Sequence, residues 1–255
     1  MNKPIRDWAG QRVWIIGASS GIGAALATTL LQRGAHVAVS ARREEALQAV
    51  VAGQDEARVL AFDFIDAAAF AQVAEALFRE WGGIDLVLFC AGAYAPMRSW
   101  QLDPQEIDRL LAINLRAPMT AAAALIPRLL KQGNGALAFV SSVAGYRGLP
   151  KAAAYGPTKA ALINFAETLY LDLAPRGLSV YLINPGFVAT PMTAANDFRM
   201  PALISPQQAA EEIVAGFGRG AFEIHFPRRF TLWLKLLRLL PYGLYFALVR
   251  RFTRL

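Results

Sequence analysis

Apolar runs of strand length alternate along this chain with longer stretches whose apolar residues recur at helical spacing. The runs Arg12–Ile16, His36–Ser40, Arg58–Phe62, Leu86–Phe89, Ala136–Ser141, Ser179–Ile183 and Phe222–Phe226 predict strands. Between them, Gly21–Arg33, Ala67–Trp81, Pro104–Lys131, Ala152–Ala174 and Pro206–Phe217 predict helices. Alternating strands and helices predict an α/β chain with a Rossmann-like, doubly wound fold: a seven-stranded, mostly parallel sheet with helices on both faces. The segment 191–201 has no periodicity and reads as a loop beside a site.

A length of 255 residues suits one domain of this kind, here a body over residues 1–227 followed by a helical extension over 228–255. The chain is 55% hydrophobic, yet charged residues recur along most of it, which excludes a polytopic membrane protein. Charge changes the picture more than composition does, because residues 220–255 carry +6 of the formal +7. The body is therefore close to neutral and the basic character belongs to the tail, which is attracted to anionic surfaces. The single cysteine, Cys90, excludes an intramolecular disulfide framework and reads as a small buried hydrophobe. His36 and His225 are not grouped with other ligand types, so no metal site is expected. The first twelve residues lack the apolar run of a secretion signal, and the expected location is the cytoplasm, with the membrane surface as a place of contact for the tail.

Directly after the first strand comes Gly17-Ala18-Ser19-Ser20-Gly21-Ile22-Gly23, then a helix. Glycines in a strand-to-helix turn let backbone N–H groups approach a pyrophosphate, and the helix N-terminus adds partial positive charge. The second strand leads into Ser40-Ala41-Arg42-Arg43, with no acid to meet an adenosine ribose. A guanidinium suits a 2′-phosphate instead, so Arg42, with Arg43 sharing the role, favours NADP(H) over NAD(H). Asp63, after the third strand, is placed to accept from the adenine amino group with Phe64 beside the ring, while Asp66 is the better N-cap for the next helix.

Thirteen residues after Ser142 stands Tyr155, and Lys159 follows it by four. That spacing puts phenol and ammonium on one helix face, where a cation favours phenolate and is expected to pull the tyrosine below its ordinary value.

With the glycine turn and the tyrosine–lysine pair in this order, residues 10–226 resemble the short-chain dehydrogenase/reductase (SDR) family. The resemblance implies that Ser142 hydrogen-bonds the substrate oxygen, that Tyr155 transfers the proton, and that Lys159 binds the nicotinamide ribose and tunes the phenol. It also implies that Asn114 holds a water of the proton relay. Gly17, Ser19, Ser20, Gly21, Ile22 and Gly23 would cradle the phosphates, Cys90, Ala91 and Gly92 would pass the adenosine ribose, and Pro185, Gly186, Val188 and Thr190 would orient the nicotinamide. The expected activity is hydride exchange between the nicotinamide and a ketone or secondary alcohol, in a homodimer or homotetramer. One departure is clear: the family commonly has Asn-Asn-Ala-Gly where this chain has Phe89-Cys90-Ala91-Gly92, which puts local hydrogen bonding at the sheet in question.

After Pro227 the chain is rich in Leu, Phe, Trp and Tyr among arginines, and Lys235, Arg238, Pro241 and Gly243 interrupt it. No stretch there approaches the roughly 18 apolar residues of a spanning helix. Two short helices are expected, either lying in a membrane interface, which the basic and aromatic content favours, or packed on the body or another subunit. Nucleic acid is the poorer partner because the cations flank leucine runs rather than cover a polar face. Lipid contact would make a hydrophobic 3-keto substrate natural, and SDR enzymes of similar size include 3-ketodihydrosphingosine reductases. The alternatives are a 3-oxoacyl-thioester or soluble ketone reductase and, in another class, a non-catalytic NADP(H)-binding scaffold or redox sensor. A sugar-nucleotide epimerase fits less well, since its glycines are usually spaced differently.

Overall fold

A computed structural model describes residues 1–253. Seven strands form the sheet: β1 Arg12–Ile16, β2 His36–Ala41, β3 Ala57–Ala61, β4 Leu86–Phe89, β5 Ala136–Val140, β6 Ser179–Pro185 and β7 Glu223–Phe226. Their order is β3-β2-β1-β4-β5-β6-β7 with every pairing parallel, the doubly wound arrangement expected. The chain reverses winding between β1 and β4, where Ile16 pairs with Ser40 on one side and Phe89 on the other. A crevice at such a reversal, beyond the carboxyl ends of the strands, is where this class of sheet binds ligands.

Among the described residues, nine α-helices cover the sheet and its edge: α1 Gly21–Leu31, α2 Glu44–Val50, α3 Ala67–Trp81, α4 Pro104–Leu111, α5 Ala117–Gln132, α6 Tyr155–Leu173, α7 Pro206–Gly218, α8 Arg228–Arg238 and α9 Tyr242–Thr253. Leu26 and Leu30 of α1, Leu47 of α2 and Ile213 and Phe217 of α7 close the core on one face. Phe70 of α3, Leu125 of α5 and Leu162 of α6 close it on the other. Local sequence explains several ends. Asp66 caps α3 by accepting from the Ala68 and Ala69 amides, Gly82 ends that helix in the left-handed region, and Ser205 with Gln208 forms a capping box on α7.

Two helix expectations are corrected by the structure. The run predicted as one helix over Pro104–Lys131 is helical to Gln132 but opens into a π turn at Ala112–Arg116. One extra residue in a turn shifts the phase of the apolar pattern without ending it, so the run still reads as one helix, and such turns recur at functional sites. By length and composition this run is apolar enough to cross a membrane, but Leu110, Ala121, Ala122, Leu125 and Leu129 pack inside the protein. The helix predicted from Ala152 begins at Tyr155, because Lys151–Ala154 form a turn in which Ala152 bridges to Met97. The short helix Glu44–Val50, which begins directly after Arg43, has too few turns to display a period that would bound it from the pattern.

The tail forms two helices broken at 239–241, as Pro241 suggests, whereas Gly243 lies inside the second helix and does not interrupt it. Its last two residues, Arg254 among them, lie outside the described residues.

Candidate active site

The glycine turn is built by close backbone approach. Gly17 has φ +92°, and a Cβ there would stand 2.3 Å from the Ala91 amide nitrogen. A Cβ on Gly23 would stand 2.3 Å from the Gly17 carbonyl oxygen, so the third glycine brings α1 onto the turn instead of facing the crevice. Ser20 occupies the N-cap of α1 without a side-chain cap bond, and no acid stands in the first turn. The amides there remain available to an anion.

The crevice holds about 580 Å³ and runs from this turn to the first turns of α6, at Tyr155 and Lys159. Gly17, Ser19, Ser20, Gly21, Ile22, Arg42, Asp63, Phe64, Cys90, Ala91, Gly92, Ser142, Tyr155, Lys159, Pro185, Gly186, Val188 and Thr190 all line it, Thr190 standing against Gly21 and Gly92 beside Lys159. Of the residues predicted for the site, Gly23 and Asn114 are not on its wall. Arg42 and Arg43 stand exposed past the end of β2, the Arg43 guanidinium 3.5 Å from the Ser19 hydroxyl. Asp63 accepts from the Ile65 amide at 3.2 Å, shaping its own turn. The Phe89-Cys90 departure from the family pattern is absorbed by the backbone: the amides of Cys90 and Ala91 both donate to Ile16 O at 2.8 Å. Phe89 stacks on Phe139 at 5.0 Å, and burial pushes the Cys90 thiol up to about 12, so it remains an inert apolar neighbour.

At the chemical end, Ser142 is held in extended conformation where β5 gives way to a short 3₁₀ turn, its hydroxyl accepting from the Ala144 amide at 3.1 Å. That turn lies directly on α6, since a Cβ on Gly145 would stand 2.7 Å from the Lys159 carbonyl carbon. Ser141, expected as the last strand residue, instead donates its hydroxyl to Lys159 O at 2.8 Å and locks the turn to the helix. Lys159 donates to Val140 O at 3.0 Å and sits 5.7 Å from the centre of the Tyr155 ring. Asn114, turned inward by the π turn, accepts from Ala93 N at 2.8 Å and donates to Ala93 O at 2.9 Å and to the Thr158 hydroxyl at 3.2 Å. It therefore positions the backbone behind the crevice; a Cβ on Gly92 would lie between its Oδ1, at 3.4 Å, and Lys159 Nζ, at 3.6 Å.

The expected lowering of the Tyr155 pKa is not what this pocket does by itself. Burial pushes the phenol up to about 12, opposed by hydrogen bonding from Ser142, and pushes the Lys159 ammonium down to about 8. Desolvation dominates both groups, and the amine donates to Val140 O rather than to the phenol.

Sequence reasoning missed Tyr94, whose ring meets Tyr155 edge-on at 4.9 Å and whose hydroxyl donates to Asn196 Oδ1 at 2.8 Å. It also missed Arg109 and Ile113 from α4 and the π turn, and Pro191, Met192 and Thr193 from the loop. Only the aperiodicity of that loop signalled its neighbourhood; Tyr94 sits in a segment whose alanines and glycine match many turns.

A glycine-cradled crevice at the winding reversal, with serine, tyrosine and lysine converging at its other end, defines a Rossmann-fold oxidoreductase site. The short chain dehydrogenase family matches residues 11–199, and the chain belongs to that family. An uncharacterised oxidoreductase of Myxococcus xanthus is 35% identical over 93% of this chain and 95% of its own length. Another, from Staphylococcus epidermidis, is 31% identical over 78% and 87%. Among solved structures, the 3-ketoacyl-(acyl-carrier-protein) reductase of Brucella melitensis complexed with NADH shares the fold at a TM-score of 0.79, with 24% identity over 86% of this chain and 97% of that one. The protein is thus a short-chain dehydrogenase/reductase enzyme, and members of this family bind a nicotinamide nucleotide.

Proposed function

We propose that this enzyme uses NADP(H) to interconvert a ketone and a secondary alcohol on a hydrophobic, lipid-like 3-keto substrate. The observation that carries the reading is the single crevice in which the Gly17–Gly23 turn and the hydroxyls of Ser142 and Tyr155 share one wall. The residues suit a dinucleotide, because the backbone approach at Gly17 and the uncapped start of α1 leave room and amides for a pyrophosphate. Arg42 and Arg43 at the end of β2, where no carboxylate stands, support a 2′-phosphate. When bound, the nicotinamide supplies the hydride in reduction and takes it up in oxidation.

The protein's part is positional and electrostatic. Negative charge collects on the substrate oxygen during reduction, and the Ser142 and Tyr155 hydroxyls, fixed before reaction, donate to it as it forms. Tyr155 Oη then delivers its proton to that oxygen. The Lys159 ammonium, one helical turn away, stabilises the phenolate left behind. Tyr94, Ile113, Pro191 and Met192 give the substrate side an apolar lining. Exposed Leu111, Met119 and Leu171 on α4, α5 and α6 support a homodimer or homotetramer, to be checked by analytical sedimentation.

A second reading, reduction of a 3-oxoacyl thioester, is favoured by the solved Brucella relative and needs the same hydroxyls. The test is oxidation of NADPH and NADH, followed by absorbance, against simple ketones of rising chain length and a 3-oxoacyl thioester. Rates rising with chain length for free ketones, with NADPH preferred, are expected. A preference for the thioester selects the second reading, equal use of both nucleotides overturns the NADP(H) assignment, and NADPH binding without turnover of any ketone favours the non-catalytic scaffold.

A further inference from the structure

The last two helices expose large apolar side chains to solvent in addition to those they pack inward, Phe230 and Leu234 of α8 and Tyr245 of α9. On α8, Thr231 is fully buried and Lys235 turns inward to pair with Glu223 at 2.5 Å, while Leu232, Trp233, Leu236 and Leu239 face outward, Trp233 68% and Leu239 79% exposed. At 100° per residue, Arg229, Leu232, Trp233, Leu236 and Leu239 share one face of that helix. On α9, Tyr245 is the buried anchor, and Leu244, Phe246 and Phe252 are exposed beside Arg250 and Arg251. This orientation is enforced by polar contacts with the body. The Arg147 guanidinium donates to the carbonyls of Leu237, Arg238 and Leu240 at 3.0, 3.2 and 2.7 Å, capping the end of α8, and lies over the rings of Tyr242 and Tyr245. The Tyr245 hydroxyl donates to Gly148 O at 2.6 Å, and Glu223 accepts from Asn184 and Tyr146 as well as Lys235. The apolar side chains are thus held outward by the same bonds that fasten the helices.

We propose that the outward face of α8 and α9 is a docking surface for an anionic lipid bilayer, on which the two helices lie in the plane of the headgroups. Charge selects this occupant. No acid follows Glu223 in the sequence, and arginines flank the exposed leucines and aromatics on both helices. A second copy of the chain would bring these cations against one another, whereas anionic headgroups neutralise them and accept the apolar side chains between them. Trp233 and Tyr242 are amphipathic rings of the kind that settle at headgroup depth. The surface adjoins the active site: Arg147 and Gly148 follow Ser142 in one loop, and Phe230 of α8 packs on Phe187, which follows the crevice residues Pro185 and Gly186.

Flotation of the full-length protein with phosphatidylcholine–phosphatidylglycerol vesicles, against phosphatidylcholine alone, tests the proposal without depending on turnover. Binding to the anionic vesicles that weakens as salt rises is expected. Trp233→Glu and Leu236→Glu should each reduce it on the order of tenfold or more, and Arg229→Gln about fivefold. None should change nucleotide binding or the oligomeric state, both measured on the same samples as a check of folding. Failure to bind either vesicle overturns the proposal. So does binding that the outward substitutions leave unchanged, and so does a loss of self-association in Trp233→Glu with vesicle binding intact, which would make this face a subunit contact.

Discussion

The floor of the crevice and the C-terminal helices handle apolar surface in opposite ways. In β1 and β2, residues Val13–Ile16 and Val37–Val39 are wholly buried, and the backbone passing over them is so close that glycine is required at position 17. In α8, Phe230 and Leu234 pack on the core while Leu232, Trp233 and Leu236 point to solvent, and Arg147, Glu223 and a buried threonine fasten the helix in that orientation. Apolar burial can build a rigid cradle because it removes water from every side. Directional hydrogen bonds and ion pairs can fasten an element while leaving its apolar side free for something else. The first region is a site in itself; the second is complete only with a partner.

Substitutions at the two ends of the crevice, and in its floor, should separate chemistry, architecture and recognition. Tyr155→Phe is expected to have the largest effect, lowering turnover on the order of a hundredfold to ten-thousandfold with nucleotide affinity nearly unchanged, since only the transferable proton is lost. Retained turnover in a single-turnover assay would remove Tyr155 from its role. Gly17→Ala forces a Cβ against the Ala91 backbone at a positive φ. It should cost about 2–4 kcal/mol in denaturant unfolding and weaken nucleotide binding, whatever the nucleotide.

Arg42→Gln with Arg43→Gln acts on recognition alone. The pair should raise the NADPH dissociation constant about tenfold to a hundredfold and leave that of NADH within a factor of about two, which titration by fluorescence would decide. The smallest effect is one of pH. Burial holds Lys159 below its ordinary value, so its ammonium is lost as pH rises through about 8, while Tyr155 keeps its proton up to about 12. NADPH affinity without substrate should therefore fall about threefold to tenfold from neutral to mildly alkaline pH. Lys159→Met should bind weakly and show no such slope; an unchanged slope would place the titration elsewhere.

Much of the cradle was legible because it depends on residue type in local order. Gly17, Gly21 and Gly23 between a strand and a helix admit few readings, and Tyr155 with Lys159 on one helix face admits few more. The chemical wall was legible less completely. Tyr94 and Arg109 line the crevice from the segment after β4 and from α4, a placement that no local pattern encodes. Asn114 was recognisable by its resemblance to a family position, but its inward turn requires a π turn that hydrophobic periodicity cannot resolve. The Tyr155 phenol was misjudged for a related reason: spacing reports that a cation is near, whereas burial depends on every element that closes around it.

By itself the sequence determined the winding of strands and helices, the glycine turn, the tyrosine–lysine pair and the unequal placement of charge, since each is a property of neighbours along the chain. Tertiary structure decided which way α8 and α9 face, how Ser141 and Gly145 seat the catalytic turn on α6, and how far desolvation moves the buried phenol and amine. Those are outcomes of packing between segments far apart in sequence, where the balance of burial against hydrogen bonding exists only after the chain has folded.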